Sequence, residues 1–152
     1  SLRQVRQRFE VGSGAASCAC YCRHMKTSPH VQTIERVNLR EKLSLFDTHW
    51  DPKIVGELNG QHVKLVKFKG EFVWHHHEHE DELFLVVKGR FTMEFRDRHV
   101  PLEEGEFLIV PRGVEHRPVA TDEVHVLLFE PATTLNTGNV VSERTVAQPA
   151  RI

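Results

Sequence analysis

Apolar residues recur along this chain in two rhythms, and the change from one to the other divides it. Leu39, Leu43 and Phe46 recur at helical spacing, and Asn38 with Glu41 offers the oxygen acceptors that open a helix, so one short helix is predicted over residues 38–46. Beyond it the rhythm shortens. Ile54 to Leu58 and His62 to Phe68 read as extended runs joined by Asn59-Gly60, a pair that supplies the positive backbone angles of a two-residue hairpin turn. Further runs follow at Phe72 to His77, Leu83 to Val87, Phe91 to Phe95, Phe107 to Val110 and His125 to Phe129, punctuated by Gly70, Gly89, Gly105 and Pro111. Short strands at such intervals predict an all-β sandwich or barrel. Leu83-Phe84-Leu85-Val86-Val87 is apolar on both faces, which suits a strand covered on each side. Phe84, Val86, Phe107 and Ile109 are assigned to the filling of the barrel.

Neither rhythm extends to the ends. In residues 1–28 five basic side chains face only Glu10, and a run from Gly12 to Ser17 breaks any period, so a poorly packed, disordered extension is expected there. Residues 29–130 are read as the single domain and residues 131–152 as an extended tail, in which Asn136 to Asn139 forms a turn. Met25 stands just before the composition changes; a translation start there is one expectation, and an arginine-rich organelle-targeting peptide is the competing one. Cys18, Cys20 and Cys22 lie too close for pairing among themselves and read as free thiols. A soft-metal site is the other reading, without a fourth ligand at a familiar zinc spacing.

Length and charge narrow the partners. A chain of 152 residues has room for one sizeable core. The net charge is -1, with 20 Lys and Arg interspersed among 21 Asp and Glu, which offers no single-sign patch to nucleic acid or an anionic membrane. No apolar run approaches the roughly 18 residues that span a bilayer, and no secretory signal is evident. A cytoplasmic protein with a small-molecule partner is the expectation.

The chemistry concentrates in the middle. Side chains of a strand alternate, so His75 and His77 project from one face about 7 Å apart, while Trp74 and His76 face the other way. Glu82 opens the next strand after the polar turn Glu78-His79-Glu80-Asp81, and His116 follows a glycine- and proline-bracketed strand and turn. Three imidazole nitrogens and one carboxylate suit one borderline divalent ion per chain, whether zinc, iron, manganese, nickel, cobalt or copper, with positions left for water or substrate. Glu78, His79 and Glu80 read as a solvated turn, with metal delivery the alternative. Arg112 and Arg117 read as solvated charges, with a grip on an anionic substrate the alternative. Tyr21, the only tyrosine, falls in the N-terminal extension. No separate general acid or base stands out, no catalytic residue is assigned, and no organic cofactor is implied.

Gly70, His75, His77, Glu82 and Gly89, followed by Gly105, Pro111, Gly113 and His116, resemble the two motifs of the cupin superfamily. The first motif departs by having four residues rather than five between Gly70 and His75, and Ala120 stands where the second often has asparagine. Counting five from Gly70 promotes His76 and puts Glu78 in the second histidine's place; His75 and His77 keep both the His-X-His pair and the spacing to Glu82. The resemblance covers about residues 60–129. It implies a double-stranded β-helix (jelly-roll) barrel with one short N-terminal helix, often a homodimer, with the metal near one mouth. It also implies a metal-dependent enzyme, dioxygenase-like or isomerase-like, acting on a small polar or acidic molecule. The alternative is a non-catalytic module that binds a small ligand or metal.

Overall fold

The structure is a computed structural model that describes residues 34–152; Cys18, Cys20, Tyr21, Cys22, Met25 and the expected extension lie outside the described residues. Asn38 caps helix α1 (Leu39–Leu43), its Oδ1 accepting from the amides of Arg40 at 3.0 Å and Glu41 at 3.3 Å. The helix is shorter than the apolar spacing predicts. Phe46 nevertheless reaches the small cluster of Leu43 and Leu65 from the turn that follows.

Seven antiparallel strands make up the rest: β1 (Lys53–Leu58), β2 (Gln61–Glu71), β3 (Glu82–Lys88), β4 (Phe91–Phe95), β5 (His99–Leu102), β6 (Phe107–Val110) and β7 (His116–Pro131). This is the all-β barrel that the sequence predicts. Asn59 and Gly60 adopt φ of 51° and 73°, and so make the β1–β2 turn as a primed hairpin. The long strand β7 organises the sheet. It pairs β2 from Glu71↔Val119 to Gln61↔Pro131, β4 through His116 to Val119, and β3 through His125 to Phe129.

The inward side is apolar and aromatic. Phe68, Phe72, Phe84, Phe91, Met93 and Val126 are among the buried residues of the main core, each such side chain stabilising by about 1.5–3 kcal/mol. Ala120 is buried opposite Gly70.

Four expectations change. Phe107 and Ile109 are exposed, at 61% and 55%. Because β6 pairs Glu82↔Val110 and Phe84↔Leu108, partners that share a face, Val110 and Leu108 point inward and the residues between them point out. Leu83, Leu85 and Val87 are only half-buried, so β3 is covered fully on one face alone. Phe72 to His77 forms no ladder: a single bridge joins His75 to His116. Finally, β5 and the first half of β7 escape the pattern because Pro101 and Pro118 interrupt it; β5 is an edge strand that pairs only β4, where proline is tolerated.

The segment after β7 returns across the barrel. Ile54 donates to the Ala150 carbonyl at 2.9 Å, Ile152 donates back to Ile54 at 3.1 Å, and the Ile152 side chain joins the Leu43 cluster.

Candidate metal centre

Three separate pieces of chain bring His75, His77, Glu82 and His116 together, all buried, with one ligand atom from each lying within 4.8 Å of every other. The backbones of His75 and His116 exchange hydrogen bonds at 3.1 and 2.9 Å, which fixes their rings 4.3 Å apart. The Gly113 amide donates to the His77 carbonyl at 2.7 Å. Arg112 closes the neighbouring turn on Asp81, through its backbone amide at 2.9 Å and its guanidinium at 3.1 and 3.2 Å. Glu82 begins β3 with its side chain inward, opposite Val110.

Hydrogen bonds set which nitrogen of each ring is available. Nδ1 of His75 lies 3.0 Å from the Val73 carbonyl and Nδ1 of His116 lies 2.9 Å from the Val114 carbonyl. A carbonyl only accepts, so each Nδ1 carries the proton and each Nε2 keeps its lone pair. His116 Nε2 is buried without a hydrogen-bond partner and stands 3.8 Å from Glu82 Oε2, which His77 Nε2 meets at 3.1 Å. Burial, and then the neighbouring His116, push His75 down to about 4, so the ring is neutral over the physiological range. Burial pushes the Glu82 carboxyl up, but the nearby His116 and His77 rings outweigh it and hold the group below the ordinary carboxylate range. Three imidazoles around an ionised carboxylate form a donor set that could hold a metal ion.

Two further polar residues lie inside the barrel that the sequence reading does not single out. Lys64 and Glu130 are each 1% exposed and pair at 2.6 Å. Burial and the nearby Glu82 carboxylate raise Glu130 well above the ordinary range, against the pull of Lys64. The signal was phase: Lys64 alternates with inward Val66 and Phe68, and Glu130 with Val124, Val126 and Leu128. Arg112 and Arg117 do not reach the centre. Arg112 is spent on Asp81, and Arg117 on Glu71 at 2.8 Å and Glu94 at 2.6 Å. Trp74 packs beneath Arg96 and Arg117, whose guanidinium carbons lie 3.8 and 5.0 Å from its ring. Glu78 and His79 are exposed.

A small cavity of about 30 Å³ lies beside His75 and Glu82. Trp50, Phe68, Phe72 and Phe84 wall it, and Asn136 reaches it from the segment after β7.

The family model of the cupin domain matches residues 62–130, which carry all four clustered side chains: His75 and His77 on the segment between β2 and β3, Glu82 on β3 and His116 on β7. A cupin-2 domain containing protein from Shewanella frigidimarina is 44% identical in sequence, and the match covers 62% of this chain and 93% of that one with a TM-score of 0.62. The chain belongs to the cupin superfamily. A second solved structure, from Neisseria meningitidis, is 31% identical over 64% of this cupin and 100% of its own chain, with a TM-score of 0.60. The uncharacterized protein YdbB of Bacillus subtilis is 39% identical over 64 residues, 41% of this cupin and 57% of YdbB. This cupin therefore spans little more than half the length of that curated relative. No helix among the described residues is long and apolar enough to cross a membrane.

Proposed function

We propose that this cupin is a metal-dependent enzyme acting on a small molecule, with one divalent transition-metal ion per chain held by His75, His77, Glu82 and His116. The observation that supports it most is the unpartnered, fully buried Nε2 of His116, turned with its lone pair toward the Glu82 carboxylate. Leaving such an atom unpaired costs about 1–3 kcal/mol, and a cation among these donors removes the cost. When bound, the ion supplies Lewis-acid polarisation of a substrate oxygen, or oxygen chemistry of the dioxygenase type if it is redox-active. The protein's own contribution is to hold the donors. The Val73 and Val114 carbonyls fix the tautomers, and the aromatic walls limit water near the site.

The test is metal content per chain by plasma mass spectrometry, for wild type beside a His77→Ala, Glu82→Gln double variant. About one equivalent in wild type and none in the variant is the expected result. Wild type that stays metal-free after reconstitution with zinc, iron, manganese, nickel, cobalt and copper in turn overturns it.

The same reading places the protein in the cytoplasm as a homodimer. Phe107 and Ile109 project from edge strand β6 beside half-buried Leu83, Leu85, Leu127 and Phe129, an apolar outward face that a second copy would cover. An Ile109→Lys variant is expected to sediment as a monomer where wild type sediments as a dimer; monomeric wild type refutes the arrangement.

A further inference from the structure

We propose that a groove on the outer face of the barrel, between helix α1 and strands β2, β3 and β7, is a binding site for small phosphate esters. It stands apart from the metal centre. Lys67 and His125 alternate with the inward residues Val66, Phe68, Val124 and Val126, so their side chains leave the opposite face of the sheet. The groove has a volume of about 640 Å³, within the range of sites that take small molecules. Leu43 and Val87 give it an apolar side. Arg40, Lys67, Lys88 and His125 give it a basic one, against the acidic Glu104.

Three of the basic residues form a row across adjacent strands. His125 on β7 lies opposite Lys67 on β2 and opposite Lys88 on β3. Residues opposite each other in antiparallel strands share a face, and positive charges so placed repel. The register of β3 shifts between Val86 and Lys88, a bulge that turns the sequence neighbours Val87 and Lys88 to the same groove. Regular alternation after inward Val86 would instead point Lys88 into the barrel. Arg40 joins from α1, three residues before Leu43 and so on the same helix face.

Lys67 is the member of the row that a solvated surface does not explain. It is 6% exposed, yet its ammonium is poorly matched. Lys53 meets Asp51 and Lys64 meets Glu130 at 2.6 Å, whereas Lys67 Nζ lies 3.3 Å from Asp47 and 4.0 Å from Glu123. The Asp47 side chain is fully in solvent, and Glu123 already meets His49 and His125 at 2.9 and 3.0 Å. The Phe46 ring lies 5.3 Å from Nζ. A buried ammonium with unfilled donors is costly, and an anion in the groove removes that cost. Arg96, Arg112 and Arg117 are each spent on a carboxylate, whereas neither Arg40 nor Lys88 pairs with an Asp or Glu among the described residues. Three cations from three elements match a phosphoryl group, which carries nearly two charges on three strongly accepting oxygens. A carboxylate, with one charge and two oxygens, leaves part of the set unpaired. The Leu43 and Val87 side receives the carbon body of an ester.

The probe is phenyl phosphate, with benzoate as the singly charged control, titrated calorimetrically into full-length protein in metal-free and zinc-loaded forms. Phenyl phosphate is expected to bind at least about fivefold more tightly than benzoate, and equally in both forms. Arg40→Gln combined with Lys88→Gln, both exposed positions, is expected to weaken it at least about tenfold, and Glu104→Gln to tighten it about twofold. Arg98→Gln, at an exposed arginine outside the groove, leaves it unchanged. Thermal unfolding shows that the variants fold. No binding, equal binding of benzoate, binding that the double variant keeps, or an equal loss in Arg98→Gln overturns the proposal. So does binding seen only with zinc, which assigns the phosphate to the metal centre. Zinc content of the same samples reports on that centre separately, so protein that takes up no zinc yet binds phenyl phosphate through Arg40 and Lys88 refutes the metal reading and leaves the groove standing.

Discussion

Around Glu82 and around Glu123 the chain assembles the same side-chain types in two different ways. His49 and His125 both direct Nε2 at Glu123, at 2.9 and 3.0 Å, and Lys67 stands 4.0 Å away. The carboxylate there is saturated and 40% exposed. Glu82 is 5% exposed, His116 is 0% exposed, and the His116 nitrogen that faces the carboxylate is too far away for a hydrogen bond. The difference lies in what each histidine does with its other nitrogen. His75 and His116 anchor Nδ1 on backbone carbonyls, which commits the remaining lone pair to the interior. With 11 histidines in the sequence, composition alone could not separate the two groups; burial and the state of the hydrogen bonds do.

The largest predicted effect exchanges the two groups' roles in a metal-binding assay. His116→Ala is expected to lower zinc content to less than about a tenth of wild type, whereas His49→Ala and His125→Ala leave it unchanged. Comparable losses from His49→Ala would erase the distinction between the two groups. Mass spectrometry of intact protein under native conditions reads both.

The four clustered residues were legible because the signals that place them are short. A two-residue alternation aligns His75 with His77, a turn separates them from Glu82, and glycine and proline punctuate the approach to His116. The hairpin at Asn59-Gly60 was legible for the same reason. Where the reading failed, the deciding fact was a partner far away in sequence. Phe107 and Ile109 were given the wrong face because two phases are open to a four-residue apolar strand, and only the pairing of Glu82 with Val110 selects one. Lys64 and Glu130 lie 66 residues apart and become a pair only when β2 lies against β7. Arg144 belongs to a segment without periodicity, so its place over Trp50 follows from the loop's hydrogen bonds and from nothing local.

A smaller effect concerns stability, and it sharpens the contrast between buried and exposed charge. Lys64→Ala leaves the Glu130 carboxyl buried without its counter-ion and is expected to cost about 3–5 kcal/mol. Replacing the pair as Lys64→Met with Glu130→Leu is expected to recover most of that loss, because two well-packed apolar side chains substitute for the pair. Glu123→Gln, on the exposed group, is expected to cost less than about 1 kcal/mol. Urea unfolding of the four proteins gives the ranking. A Lys64→Ala cost no greater than that of Glu123→Gln would show that the buried pair carries no special weight.

The smallest effect is a pH dependence confined to the metal-free protein. His75 is held at about 4 in the folded chain against 6.5 for the free side chain. Between those values the unfolded chain binds the extra proton, so the stability from a neutral His75 is present above about pH 6.5 and is lost as the pH falls. From about pH 7 to about pH 5 the loss comes to about 2 kcal/mol. Glu123, which His125 and His49 hold below the ordinary range, loses its contribution only as the pH drops beneath 4.5, outside this window. Glu130 acts in the opposite sense, since its raised carboxyl takes up a proton at higher pH in the folded chain than in the unfolded one and so adds stability as the pH falls. A His75→Asn variant keeps Glu130 and removes the imidazole, so the difference between the two pH profiles isolates His75. Metal-free wild type is expected to lose about 2 kcal/mol more than His75→Asn over that interval in urea unfolding. Parallel profiles would mean that this ring accepts a proton in the folded barrel as readily as in water, and the buried group would then differ from the exposed one in geometry but not in electrostatics.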